Sequence, residues 1–170
     1  MISLIIGGSG SGKSAFAETL AKRLPGAGIY LATMSASDPE SLRRIEKHRL
    51  QRRELGFVTL ERSVNLADME LPERVNVLLE DLSNLLANEM FSPEGSGVES
   101  VRKGLNFLED HCENLTVVSN EIFSGGTESE GETFAYMKHL ARLNRELAVD
   151  ADLVVEVICG LPNVLKGELP

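Results

Sequence analysis

A mostly apolar run from Ile2 to Ile6, rich in β-branched isoleucine, leads directly into Gly7-Gly8-Ser9-Gly10-Ser11-Gly12-Lys13-Ser14. These eight residues match G-x-x-x-x-G-K-[ST], and a segment of helical period starts at Lys13. The four fixed positions would coincide by chance in a chain of this length on the order of once in a hundred times. Each residue type has its own physical task. The glycines let backbone N–H groups curl around a polyphosphate, the helix N-terminus adds its dipole, Lys13 reaches terminal phosphates, and the Ser14 hydroxyl can ligate Mg²⁺. Nucleoside triphosphate binding follows; the loop alone does not separate a kinase from a hydrolase or a switch.

The rest of the 170 residues has to build the sheet that such a loop requires. Further short β-branched runs are read as strands at Gly28 to Thr33, Val75 to Glu80, Leu115 to Asn120 and Leu153 to Cys159, with a short extra strand at Val58 to Glu61. Helices are read at about Lys13 to Leu24, Pro39 to Glu54, Leu82 to Met90, Val98 to Asn114 and Glu132 to Ala148. Asp38 before Pro39 supplies a start signal for the second of these. The breaks at Ser92 to Gly97 and Ser124 to Gly131 are polar, glycine-containing loops. This alternation predicts an α/β fold of the P-loop NTPase type, three layers with a mostly parallel sheet flanked by helices, in one domain over residues 1–170. Ligands of such sheets sit beyond the carboxyl ends of the strands, so the segments after Ile6, Thr33, Glu80 and Asn120 are expected to share one crevice. The strand ending Glu80-Asp81 offers two acids there, either of which could hold Mg²⁺ through water.

Charge is distributed unevenly. Net charge is −9, which argues against a nucleic-acid binder, since that affinity rests on phosphate neutralisation by Lys and Arg. Yet Arg43, Arg44, Lys47, Arg49, Arg52 and Arg53 stand against the single acid Glu46, giving +5 in that stretch; elsewhere 11 cations face 25 acids, a net of −14. On a helix Arg44, His48 and Arg52 share one face. A solvated helix face is the plain alternative, but like charges at i, i+4 oppose helix formation, and contact with an anion is the better account. The cationic neighbours disfavour the imidazolium of His48 and keep a ring nitrogen lone pair available near neutral pH, as a nucleophile attacking phosphorus requires. Lys47 would need a large pKa depression to compete and points about 100° away. His111 and His139 lack such surroundings.

Two cysteines, Cys112 and Cys159, form neither a disulfide framework nor a zinc spacing, which suits a reducing cytoplasm. The start MISLIIGG lacks the basic and long apolar regions of a signal peptide, and no apolar run approaches the roughly 20 residues of a membrane span.

Taken in order, GGSGSGKSAFAE, YLATM, RIEKHRLQR followed by VTLE, LLEDLSNLL, VVSNE and LNRELAVDADLVVEVICGLPNVLKG resemble the adenosylcobinamide kinase / adenosylcobinamide-phosphate guanylyltransferase family over nearly the whole chain. The phosphate loop is generic, whereas R-I-x-x-H-R with T-x-E beyond it is particular. The resemblance implies phosphorylation of the adenosylcobinamide hydroxyl with ATP or GTP, then transfer of GMP from GTP to that phosphate through a covalent GMP-histidine at His48. It also implies that Gly7 to Ser14, Ala32, Thr33, Met34, Arg49, Leu50, Gln51 and Arg52 contact GTP. Glu61 and Glu80 would complete the nucleotide site, and the assembly would be a homotrimer. Departures from the family pattern are Phe57 in place of a usual tryptophan, one extra residue between His48 and Glu61, IFSGGTES after Glu121, and Met137-Lys138 where Arg-Asp is common. A simple P-loop metabolite kinase and a nucleotide-dependent regulatory module stand as alternatives.

Overall fold

A computed structural model of the chain describes residues 1–34, 56–72, 74–124 and 130–170. Seven strands form one sheet: β1 (Ile2–Gly7), β2 (Gly28–Ala32), β3 (Phe57–Glu61), β4 (Val75–Glu80), β5 (Cys112–Asn120), β6 (Leu153–Ile158) and β7 (Leu161–Lys166), in the order β3-β2-β4-β5-β1-β6-β7. The first six are parallel and β7 pairs antiparallel with β6. Four helices are described: α1 (Lys13–Arg23), α2 (Leu82–Phe91), α3 (Val98–His111) and α4 (Gly131–Asp150). The predicted helix at Pro39 to Glu54, with the whole basic stretch, lies outside the described residues, as do positions 125–129 of the second predicted loop.

Because side chains alternate along a strand, neighbours such as Leu4 and Ile5, Leu78 and Leu79, or Val154 and Val155 serve opposite faces. Ile5, Leu78 and Val155 pack with Ala17, Leu20 and Ala21 of α1. Leu4, Leu79 and Val154 pack with Leu85 and Leu86 of α2, Leu105 and Leu108 of α3, and Leu140, Leu143 and Leu147 of α4. Double-sided burial explains why these strands read as continuous apolar runs rather than alternating ones. It also sets the layers: among the described residues, α1 covers one face and α2, α3 and α4 the other.

Most ends fall within one or two residues of the sequence-based expectation, and three differences have a clear physical reason. The helix expected through Asn114 ends at His111, and Cys112–Asn114 begin β5 instead. Cys112 pairs with Val75 and Asn114 with Asn76, whose side-chain carbonyl accepts from Asn114 Nδ2 at 2.7 Å. Cross-strand pairing of polar side chains therefore overrides a helical period that these residues continue only weakly. Strand β6 stops at Ile158, because Cys159 and Gly160 both have positive φ (51° and 79°), the requirement of a two-residue hairpin turn. Strand β7 was not expected: LPNVLK has no alternation and contains a proline, and all six residues are exposed. Its partner β6 and the hairpin turn create the strand; its own sequence does not announce it.

Both cysteines are free thiols. Burial pushes the Cys112 thiol up to about 12, whereas Cys159 is exposed at the hairpin turn. An aromatic disulfide reagent at mildly alkaline pH is expected to titrate one thiol in the folded protein, and the second only in denaturant, because the thiolate is the reactive species. Two equivalents reacting at one rate in the native protein would contradict the burial of Cys112.

Candidate functional site

The phosphate loop leaves β1 at Gly7 and enters α1 at Lys13. Gly10 (φ 71°) and Gly12 (φ 90°) occupy the left-handed region that glycine reaches without steric cost. Gly12 is also held close to the β6–β7 turn: a Cβ there would stand 3.2 Å from Gly160 Cα. The Gly160 N–H donates to the Ser11 carbonyl at 2.8 Å, so the hairpin braces the loop from one side. Helix α1 starts without a side-chain cap and without an acid in its first turn. Its first N–H groups and the positive end of its dipole thus remain available to an anion.

Lys13 is buried (8% exposed), and its Nζ donates to the Gly8 carbonyl at 3.4 Å. On the next residue the Ser14 hydroxyl donates to Glu80 Oε1 at 2.5 Å. Although β5 lies between β1 and β4 in the sheet, the start of α1 leans over the strand ends far enough to bring these residues, 66 positions apart, into contact. Two hard oxygen donors beside a buried ammonium are a donor set suited to a divalent cation that also bears phosphate oxygens.

Of the two acids ending β4, only Glu80 is directed at Ser14. Asp81 caps α2: its Oδ1 accepts the Asn84 N–H at 2.7 Å, and its Oδ2 accepts from Asn84 Nδ2 at 3.3 Å and Asn120 Nδ2 at 3.5 Å. Burial raises the Asp81 pKa above the usual carboxylate value, against the opposing pull of the Asn84 N–H and the Lys13 charge. Desolvation wins there because a buried carboxylate loses more hydration than the cap returns.

A cavity of about 440 Å³ opens where these groups converge. Gly10, Ser11, Gly12, Lys13, Ser14, Ala32, Met34, Glu61 and Glu80, all expected from the sequence, line it together. Gly7 closes β1 beneath the loop, the Gly8 carbonyl receives Lys13, and Ser9 is exposed. Thr33 is fully buried behind the wall, with its hydroxyl turned to the Glu80–Asp81 backbone. His48, Arg49, Leu50, Gln51 and Arg52 lie outside the described residues. Sequence reasoning missed Glu18, Tyr30 and Asn84, which also line the cavity. Two of them carried a periodic signal: Glu18 stands four residues after Ser14 on α1, and Tyr30 two residues before Ala32 on β2. Asn84 follows the capping Asp81 by three residues, the spacing of a first helical turn.

Among the described residues, no helix is long and apolar enough to cross a membrane, and no group of three or more His, Cys, Asp or Glu side chains forms a metal cluster. Two solved structures are similar in part. They are the bacteriophage phi6 P4 protein in complex with ADP (13% identity, TM-score 0.45, 95% of this chain and 53% of that one) and an ATPase of the type III secretion system of pathogenic bacteria (12%, 0.49, 91% and 51%). The chain thus spans about half the length of each. Similarity in sequence is far more extensive. The bifunctional adenosylcobalamin biosynthesis protein CobP of Pseudomonas aeruginosa is 33% identical over 172 residues, covering 99% of both chains. The family model for cobinamide kinase / cobinamide phosphate guanyltransferase matches residues 3–165, which includes the loop, both acids of β4 and the hairpin that braces the loop. A match running from the first strand to the last places the chain in the cobinamide kinase / cobinamide phosphate guanyltransferase family, transferases of cobalamin biosynthesis.

Proposed function

We propose that the chain phosphorylates the free hydroxyl of adenosylcobinamide with ATP or GTP, and then transfers GMP from GTP to the resulting phosphate by way of a guanylyl-His48 intermediate. The observation that carries the nucleotide part is the 2.5 Å contact between Ser14 Oγ and Glu80 Oε1 beside buried Lys13, at the mouth of a cavity that Ala32, Met34 and Glu61 share. Ser14 and Glu80 would hold Mg²⁺, which supplies charge neutralisation to the phosphates when bound. In phosphoryl transfer, Lys13 and the loop N–H groups orient the triphosphate and stabilise charge on its oxygens.

In the second reaction, a ring nitrogen of His48 attacks the α-phosphorus of GTP. An N–P bond forms, the P–O bond to the β-phosphate breaks, and pyrophosphate leaves with the electron pair. A phosphate oxygen of the cobinamide phosphate then attacks the same phosphorus, and the N–P electrons return to His48. Arg49 and Arg52 would stabilise the charge that builds on phosphorus, and Leu50 and Gln51 would contact GTP as expected of the family. The apolar exposed edge at β7, where Leu161 is 72% and Leu165 56% exposed, supports the homotrimer expected of the family, and the two free thiols suit a cytoplasmic setting.

Incubation with GTP labelled at the α-phosphate is expected to leave an acid-labile, alkali-stable adduct on the protein, and His48→Ala is expected to remove it. An unlabelled parent protein, or a His48→Ala variant labelled as well as the parent, would discard the guanylyl-histidine step.

A further inference from the structure

Thr33 stands immediately after β2 with no exposed surface, and every polar group it has is spent on the junction between β4 and α2. Its N–H donates to the Glu80 carbonyl at 3.0 Å. Its hydroxyl donates to the Asp81 carbonyl at 2.8 Å, with the Glu80 carbonyl at 3.1 Å, and accepts the Asp81 N–H at 2.9 Å. Its own carbonyl accepts from Asn88 Nδ2 of α2 at 2.8 Å. One side chain thus satisfies both the donor and the acceptor of the Asp81 backbone, on the residue next to the carboxylate that meets Ser14.

We propose that Thr33 is a positioning residue: its hydroxyl does not touch the nucleotide but fixes the backbone from which Glu80 projects, and so sets the place of the Glu80 carboxylate against Ser14. A carboxylate on a strand end has several rotamers and a frayed backbone beneath it. Anchoring that backbone at two peptide groups removes the second source of freedom, and the 2.5 Å contact to Ser14 removes the first. The consequence is selective. Losing the hydroxyl leaves the loop, the α1 N-terminus and Lys13 as they are, while the Ser14–Glu80 pair loses its register.

The inference rests on the nucleotide-site reading above, and the test separates the two. Binding of N-methylanthraniloyl-GTP is measured with and without Mg²⁺ for the parent, Thr33→Val, Thr33→Ser and Lys13→Ala. Thr33→Val is expected to bind the Mg²⁺-free nucleotide within about twofold of the parent, and to lose about five- to tenfold of the tightening that Mg²⁺ confers, the scale of one hydrogen bond. Thr33→Ser keeps the hydroxyl and is expected to keep the tightening. Full Mg²⁺ tightening in Thr33→Val, equal weakening with and without Mg²⁺, or loss of tightening in Thr33→Ser each overturns the positioning role. The Thr33→Ser arm decides alone if Thr33→Val does not fold. A Lys13→Ala protein that binds like the parent, or a parent with no Mg²⁺ tightening, removes the site reading itself. Weakened Lys13→Ala beside a parent-like Thr33→Val removes only the role of Thr33.

Discussion

Lys13→Ala is expected to lower kcat/KM for cobinamide phosphorylation by about a thousandfold or more, the scale of removing a principal charge stabiliser from phosphoryl transfer. Among the described residues that line the cavity, Lys13 is the one cation, facing Glu18, Glu61, Glu80 and Asp81. Without it, no side-chain cation among the described residues lining the cavity remains to offset the charge of a triphosphate. Burial amplifies the effect, because a charge screened from water acts through a lower dielectric than a surface lysine does. Lys13→Arg is not expected to rescue, since a planar guanidinium does not fit where a narrow ammonium reaches the Gly8 carbonyl at 3.4 Å. Steady-state kinetics with a parallel melting curve checks this: a folded Lys13→Ala protein with undiminished turnover would discard the phosphate-loop assignment.

Glu89→Leu is expected to destabilise the fold by about 2–5 kcal/mol, the cost of leaving two or three hydrogen-bond donors without an acceptor. Glu89 is 2% exposed on α2, and its carboxylate accepts the Asn65 N–H at 2.6 Å, the Ser96 N–H at 2.7 Å and the Ser100 hydroxyl at 2.8 Å. Asn65 follows β3, Ser96 lies in the α2–α3 connection and Ser100 stands in the first turn of α3, so one carboxylate ties three separate points of the chain to α2. Glu89→Gln keeps one carbonyl but turns an NH₂ toward a donor, and a loss of about half that size is expected. Glu146 provides the contrast. It pairs with Arg102 at 3.1 Å and Arg142 at 2.7 Å, yet its side chain is 41% exposed, and Glu146→Ala is expected to cost less than about 1 kcal/mol. Urea melts of the three variants check the ranking; Glu146→Ala costing as much as Glu89→Leu would contradict it.

The parts of the site that could be read in the chain are those whose determinants are local. Gly10, Gly12, Lys13 and Ser14 act within one turn, and the conformation they need is written in their own residue types. The core strands could be read for a related reason: burial on both faces favours apolar side chains at most positions, whatever the neighbouring strand. Strand β7 and the first residues of β5 could not, because their pairing partners define them and their side chains carry no pattern. Thr33 shows the same limit within the site. As a residue type it suits a strand end, a nucleotide contact or a backbone anchor equally well, and its hydrogen bonds to residues 47 and 48 positions away select the anchor.

What the amino-acid sequence determined by itself was the phosphate loop, the α/β alternation and the family, since each rests on residue types at short spacing or on an ordered series of such motifs. The tertiary structure decided which acid meets Ser14. Glu80 and Asp81 are adjacent carboxylates with similar claims, but a strand turning into a helix sends consecutive side chains in different directions. Asp81 falls at the α2 N-terminus, where free N–H groups take it up as a cap, and Glu80 is left facing the loop across the intervening strand.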